Sequence, residues 1–182
     1  MRISSFTFGP FQENTYVLDD GTDALIIDPG CSDRAEEQEL EDHIRSNGLR
    51  PVELVLTHAH IDHVLGCAAV HARWGLLPIM HRADLPLLHA VPRQAEMFGV
   101  RCEAPPEPER FLEAGDELRL GDARLEVLFV PGHAPGHIAL FDGRNGFVIA
   151  GDTLFHRSIG RTDLPGGDMD TLLKSIREVL YP

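Results

Sequence analysis

Short runs of apolar residues, separated by glycine, proline, aspartate and asparagine, recur along the chain and are typical of β-strands. The runs span residues 3–8, 15–18, 24–28, 52–57, 117–120, 123–130, 138–141 and 147–150. The last four form two predicted hairpins, because Gly121-Asp122 and the glycine-containing segment 142–146 are typical hairpin connections. Strands therefore cluster before residue 57 and after residue 117.

Helical periodicity predicts the elements between and after these strands. In the first helix, Asp33 is the expected N-cap and Glu36 is its reciprocal partner in a capping box. Leu40 and Ile44 then share one apolar face of this helix, because they lie four residues apart.

Three further helices are predicted over residues 64–74, 83–98 and 169–180, and the last has Asp168 as its cap. Strands in clusters with helices between them favour an α+β layered domain over a regular array of βαβ units. A length of 182 residues predicts one domain spanning residues 1–182.

Charge and composition narrow the classes of partner. The chain has 29 acidic and 16 basic residues, a net charge of −13, so it repels phosphate backbones and anionic lipids. We therefore expect no nucleic-acid or membrane partner; the oligomeric state is left open. Three scattered cysteines do not form a disulfide framework, and no signal peptide is evident at the start of the chain. These features predict a cytoplasmic protein.

Histidine and aspartate concentrate at the end of the fourth predicted strand, in the segment 57–63. His58 and His60 are two residues apart, whereas Asp62 and His63 are adjacent and project differently. Imidazole nitrogen and carboxylate oxygen are ligands that zinc binds readily, and a catalytic site keeps one position open for water. This one loop could therefore supply two neighbouring metal ions, one from each pair.

Two more strand ends offer ligands of the same kind. His133 and His137 follow the run 123–130, and Asp152 leaves the run 147–150 after a glycine. Asp152 alone is typical of a turn, and only the company of the other groups makes it a candidate ligand. The isolated histidines are interpreted as turn or cap residues: His43, His71, His81, His89 and His156.

The pattern His58-x-His60-x-Asp62-His63, followed by Pro-Gly-His133 and Gly-Asp152, resembles the metallo-β-lactamase superfamily over nearly the whole chain. Within that superfamily, the segments 11–16, 27–30 and 160–168 resemble the glyoxalase II-like hydrolases. The resemblance implies an α+β fold, a four-layer αβ/βα sandwich in which two sheets pack together, helices lie outside and metals bind at one edge.

The resemblance also implies a set of metal ligands. The first metal would be held by His58, His60 and His133, the second by Asp62 and His63, with Asp152 bridging the two. Asp62 would in addition orient the hydroxide that attacks the substrate. Zinc is the implied metal, as one or two ions, with iron or manganese as alternatives. Arg161 would meet a substrate carboxylate, and a structural ion pair is the alternative role for it.

One family ligand has no counterpart before Pro182. The family's second metal has a further histidine, in a Gly-His motif that lies beyond the last predicted helix. We therefore expect weaker occupancy of the second site; a mononuclear site and a chain clipped from a longer protein are alternatives. The family's last strand belongs to the same segment, so an open sheet edge is expected.

The leading functional hypothesis is hydrolysis of a small-molecule thioester, an acylated glutathione, by metal-activated hydroxide. The first alternative is a persulfide dioxygenase with one iron, held by a facial triad of His58, His133 and Asp152. The second alternative is a metal-poor, non-catalytic remnant of the fold.

Overall fold

Strands and helices follow one another over residues 1–181, the part of the chain that the computed structural model describes. The strands are β1 (Arg2–Phe8), β2 (Glu13–Asp19), β3 (Asp23–Ile27), β4 (Arg50–Val55), β5 (Pro78–Met80), β6 (Arg110–Phe111), β7 (Glu117–Leu120), β8 (Ala123–Phe129), β9 (Ile138–Asp142), β10 (Phe147–Ile149), β11 (Leu154–Phe155) and β12 (Ser158–Ile159). The helices are α1 (Arg34–Ser46), α2 (Ile61–Val64), α3 (Cys67–Trp74), α4 (Leu85–Phe98) and α5 (Met169–Ser175), and α5 continues as a π-helical segment over Ile176–Leu180.

The larger sheet has six strands in chain order, from β1 to β6. Its first three strands pair antiparallel, whereas β3, β4, β5 and β6 pair parallel. Parallel neighbours need crossover connections, and the helices α1, α3 and α4 lie in those connections. The carboxyl ends of the parallel strands consequently meet at one edge of the sheet.

The second sheet is antiparallel, in the order β10-β9-β8-β7, and a two-stranded hairpin of β11 and β12 stands apart from both sheets. The two predicted hairpins of the sequence form this second sheet. Its strands end beside the same edge as the parallel strands, because the backbone N–H of Ile138 donates to the Thr57 carbonyl at 2.8 Å.

Alternate residues of β3 enter two different hydrophobic cores. Ala24 and Ile26 pack in the core that the larger sheet forms with the helices, whereas Leu25 and Ile27 pack in the core between the sheets. All four side chains are fully buried, which explains why β3 is a continuous apolar run in the sequence. The layers of helices, sheet and sheet confirm the predicted α+β sandwich.

The last helix packs beside the end of β8. Asp168 caps α5 as predicted, since its carboxylate accepts the Thr171 backbone N–H at 2.7 Å. The Ser175 hydroxyl donates to the Pro131 carbonyl at 2.7 Å, and buried Leu172 lies directly against Gly132. The helix thereby supports the segment that carries His133.

The predicted helix over residues 64–74 is wrong as one element, because α2 ends at Val64 and α3 begins at Cys67. Gly66 lies between them, and its N–H donates to the Pro29 carbonyl at 2.7 Å. A Cβ at Gly66 would overlap the Cys31 sulfur, so the backbone approaches this neighbour as only glycine can.

The predicted capping box of α1 is half right. Asp33 is the N-cap and accepts the backbone N–H groups of Ala35 and Glu36 at 2.8 and 3.0 Å. The Glu36 carboxylate, however, accepts the backbone N–H groups of Ser32 at 2.7 Å and of Gly9 at 2.8 Å. Glu36 therefore ties α1 to the β1–β2 turn and does not return to Asp33.

Four short strands escaped prediction: β5, β6, β11 and β12. They have only two or three residues each, which is too short for a periodicity to be read. Among the helices described here, none has both the length and the apolar composition needed to cross a bilayer.

Candidate metal centre

Three of the predicted ligands converge where β4 and β8 end. The Nε2 atoms of His58 and His133 are 3.2 Å apart, and Nδ1 of His60 is 2.8 Å from Nε2 of His133. All three rings are buried, so solvent does not separate them. Zinc–nitrogen bonds in a tetrahedron place ligand atoms about 3.3 Å apart. The spacing of these nitrogens is close to that value.

The hydrogen bonds around the rings fix which nitrogens carry protons. The Thr57 hydroxyl donates to Asp28 at 2.6 Å, so at 3.1 Å it is an acceptor for an N–H at His58 Nδ1. His133 Nδ1 likewise donates to the Arg161 carbonyl at 2.8 Å. The Nε2 atoms of both histidines therefore present lone pairs to each other. Two facing lone pairs repel unless they share a cation, so the residues fit a bound metal ion.

Burial keeps these rings neutral. It lowers the pKa of His58 well below its usual value, and burial together with His133 lowers the pKa of His60 to about 3. The pKa of His133 is also lowered, mainly by burial. Neutral imidazole is the form that binds metal.

The other predicted ligands form a second cluster beside the first. Nε2 of His63 lies 3.3 Å from one carboxylate oxygen of Asp152 and 3.8 Å from Asp62. The other oxygen of Asp152 is 3.6 Å from Nε2 of His133. Asp152 thus has one oxygen toward each cluster, as expected of a bridging ligand. The side chains of Asp62 and Asp152 are 24% and 26% exposed, so the centre is open to solvent on this side.

Asp28 orients the second cluster from behind. Its carboxylate accepts an N–H from His63 Nδ1 at 3.0 Å, and also the backbone N–H and hydroxyl of Thr57. Although burial alone would lower it, the pKa of His63 is raised well above its usual value by Asp28, with help from Asp152 and Asp62. Sequence reasoning used Asp28 only as part of a family motif; an acidic residue directly after an apolar strand was the available signal.

His137 positions Asp152 and lies outside the ligand set. Its Nε2 accepts the backbone N–H of Asp152 at 3.0 Å, and its Nδ1 lies 3.3 Å from the Thr153 hydroxyl. The ring stacks on His58, with centroids 4.6 Å apart. Both nitrogens are therefore engaged away from the centre. His63 lowers the pKa of Asp152 to about 2 against the opposing effect of burial.

Glu13 is a buried carboxyl that sequence reasoning missed. One oxygen lies 2.9 Å from the Thr15 hydroxyl, which donates its proton to the Asp28 carbonyl at 2.8 Å. The other oxygen has no hydrogen-bond partner among the described residues and lies 4.0 Å from His63 Nδ1. Burial raises the pKa of Glu13 to about 9. Burial therefore favours the neutral form of Glu13, which adds no charge beside His63.

The segment after Asp152 is attached to the centre at both of its ends. Asp152 precedes the β11–β12 hairpin in the chain, and Gly160 follows the hairpin. Gly160 lies so close to Asp152 that a Cβ at position 160 would overlap the Asp152 carbonyl oxygen. The Arg161 carbonyl then accepts from His133. The Arg161 guanidinium is exposed and binds the Asp163 carboxylate with two hydrogen bonds, at 2.7 and 2.8 Å. The structure thus places Arg161 in an ion pair.

Comparison with known proteins assigns this arrangement to a family. The profile of the metallo-β-lactamase superfamily matches residues 8–181, and the chain belongs to that superfamily. Among solved structures, TTHA1623 in a di-iron-bound form is 39% identical with a TM-score of 0.86, over 98% of this chain and 87% of that one. The BLEG-1 B3 metallo-β-lactamase is 32% identical with the same TM-score, over 98% and 85%. The predicted metallo-β-lactamase fold is therefore confirmed.

Two relatives are similar in sequence over nearly the full chain. The probable metallo-hydrolase YqgX of Bacillus subtilis is 37% identical over 99% of this chain and 84% of that protein. The hydroxyacylglutathione hydrolase GloC of Haemophilus influenzae is 36% identical over 100% of this chain and 85% of that protein. The histidine and aspartate clusters and the superfamily together indicate a metal-binding, hydrolase-like protein.

Proposed function

We propose that this protein is a metal-dependent thioester hydrolase that cleaves an acylated thiol of the acylglutathione type. The observation that carries the proposal is the pair of unprotonated Nε2 atoms, of His58 and His133, that face each other beside the Asp152 carboxylate. A cation bound between them would take up both lone pairs and pair with the carboxylate. The name of the 36% identical hydroxyacylglutathione hydrolase supports the thioester substrate.

The ligand assignment follows from the two clusters. The first ion would be held by His58, His60 and His133, the second by Asp62 and His63, with Asp152 between them. We propose zinc as the metal, while the di-iron form of a 39% identical structure makes iron the alternative. A bound divalent cation supplies a polarised carbonyl and water of lowered pKa.

The chain's own residues supply position and charge. The partly exposed Asp62 carboxylate accepts a hydrogen bond from the attacking water and aims its lone pair at the thioester carbon. Asp152 is held by His137 and His63, so the spacing of the two clusters is set before substrate arrives. A thiolate is a good leaving group, so a general acid at the sulfur is unnecessary.

Metal content and hydrolysis of S-lactoylglutathione test the proposal together. We expect purified protein to contain one or two equivalents of zinc or iron and to hydrolyse the thioester. His58→Ala should lose metal and activity. His89→Ala is the matched control, because His89 is exposed and, within residues 1–181, pairs only with Glu107. Equal rates for wild type and His58→Ala, or no hydrolysis by metal-loaded wild type, would contradict the proposal, and metal-poor purified protein would favour the non-catalytic alternative.

One geometric feature favours the second candidate, a persulfide dioxygenase with one iron. Nε2 of His133 lies 3.2 Å from His58 Nε2 and 3.6 Å from Asp152, so two imidazoles and one carboxylate share a face. That combination is the facial triad of ferrous oxygenases. Oxygen uptake with glutathione persulfide by iron-loaded protein separates the candidates, since a thioester hydrolase consumes no oxygen.

A further inference from the structure

Asp84 joins the two segments that carry the first ligand cluster, although it lies far from both in sequence. One carboxylate oxygen accepts the backbone N–H of Ala59, between His58 and His60, at 3.0 Å. The other accepts the backbone N–H of Gly136, three residues after His133, in a short hydrogen bond. A single buried side chain therefore holds both loops in register.

The usual role of an aspartate at this position does not explain Asp84. It stands at the N-cap of α4, where a carboxylate normally accepts an N–H from the first turn of the helix. Here the side chain makes no capping bond, and both oxygens turn to the loops. The carboxylate is fully buried, so water does not reach its oxygens. Among the described residues, the backbone N–H groups of Ala59 and Gly136 are their hydrogen-bond donors.

The close fit at Gly136 also indicates that the contact with Asp84 is specific. A Cβ at this position would lie 2.7 Å from the Asp84 backbone nitrogen and 2.9 Å from its carboxylate. The backbone of Gly136 is not in the left-handed region, so only the close approach to Asp84 requires glycine there. The glycine at position 136 and the aspartate at position 84 are thus both needed for this one contact.

We propose that Asp84 is a positioning residue that sets the spacing of His58, His60 and His133, and so the metal affinity of the first cluster. The inference rests on the metal centre of the proposed function. Groups behind metal ligands typically change metal affinity 10–100-fold when they are replaced. Asp84→Asn leaves one acceptor and turns an NH2 donor toward a backbone N–H, so one loop loses its anchor.

Chelator competition with zinc, and the visible spectrum of the cobalt-substituted protein, test this role. We expect Asp84→Asn to weaken metal binding about 10–100-fold and to shift the cobalt bands. Gly136→Ala should do the same through the partner loop, and it keeps the test decisive if Asp84→Asn does not fold. The spectrum reports ligand geometry, which a general loss of stability does not change.

Two control variants match these changes away from the centre. Asp142 is also buried, and one of its carboxylate oxygens accepts the backbone N–H groups of Arg144 and Asn145 while the other accepts the Asn145 side-chain amide. Asp142→Asn therefore makes the same substitution at a buried carboxylate that holds only a local turn. Gly143→Ala meets only Phe141, at 3.3 Å. Both should bind metal within twofold of wild type. Wild-type affinity in Asp84→Asn and Gly136→Ala, or an equal loss in Asp142→Asn, overturns the inference, whereas wild type that binds no metal overturns the proposed function instead.

Discussion

The two ligand clusters lie side by side, yet they are built on opposite electrostatic principles. The first consists of three neutral imidazoles whose pKa values are lowered by burial. In the second, one histidine is surrounded by carboxylates that raise its pKa. Without metal, the second cluster is satisfied by its own ion pairs, whereas the first leaves lone pairs facing each other. The first cluster is therefore stabilised more by a bound cation than the second.

The largest expected effect comes from the residue shared by both clusters. Asp152→Asn replaces a bridging carboxylate by a neutral amide, so we expect both metal content and thioester hydrolysis to fall, the latter on the order of 100-fold or more. Elemental analysis and steady-state kinetics on the same preparation measure the two effects. A variant that keeps full metal content and activity would show that Asp152 bridges nothing.

A smaller and more selective effect is expected from Asp28→Asn. The variant removes the charge that holds the His63 proton directly, whereas it reaches His58 of the first cluster only through the Thr57 hydroxyl. The second metal should therefore bind about 10–100-fold more weakly, and the first metal should be affected less. Titration of metal-free protein with zinc, followed by calorimetry, resolves the two steps. Equal weakening of both steps would contradict the separation of the clusters.

The two clusters also predict opposite pH dependence for metal-free protein. The lowered pKa of His60, about 3, gives stability that is complete above the unfolded value of 6.5 and is lost as pH falls toward 3. The raised pKa of His63 gives stability that is present below 6.5 and is lost as pH rises through its folded value.

Urea unfolding of chelator-treated protein between pH 3 and pH 7 measures the acid limb, with an expected loss of about 2–4 kcal/mol from His60. His60→Ala should make this limb shallower, with His58 and His133 causing what remains, and His89→Ala, which changes an exposed histidine, should not alter it. An acid limb that is unchanged in His60→Ala would mean that other groups cause it.

The smallest effect is expected from Arg161→Ala. The contact of Arg161 with His133 is made by the backbone carbonyl, which the substitution keeps, so metal content and the unfolding midpoint should not change. If the guanidinium leaves Asp163 to meet a substrate carboxylate, KM should rise several-fold with little change in kcat. An unchanged KM would leave the ion pair as its only role.

The sequence predicted what depends on local pattern. The longer strands, both hairpins of the second sheet and the N-cap Asp33 are confirmed. These features are determined by periodicity and by turn residues that are close to them in the sequence. The helix break at Gly66 and the actual partners of Glu36 depend on neighbours that only the folded chain supplies. The predictions of one continuous helix over residues 64–74 and of a reciprocal capping box at Glu36 were therefore wrong in detail.

The candidate site also combines residues that local motifs predicted with residues that only the folded chain brings near. The structure brings together the six predicted ligands, but the groups that orient them, Asp28 and Asp84, were not recognised as such, and the buried Glu13 beside His63 was missed. Asp84 lies 25 residues from Ala59 and 52 from Gly136, and no local signal joins such positions. The ligand assignment itself stays a prediction.

The hairpin of β11 and β12 leaves the centre at Asp152 and returns to it at Gly160 and Arg161, while its tip at His156 and Arg157 is exposed. An insertion at that tip would therefore change the surface beside the candidate metal centre at a distance from the predicted ligands. Sequence changes in this short ribbon can therefore alter the surroundings of the centre while the contacts at Asp152, Gly160 and Arg161 stay as they are.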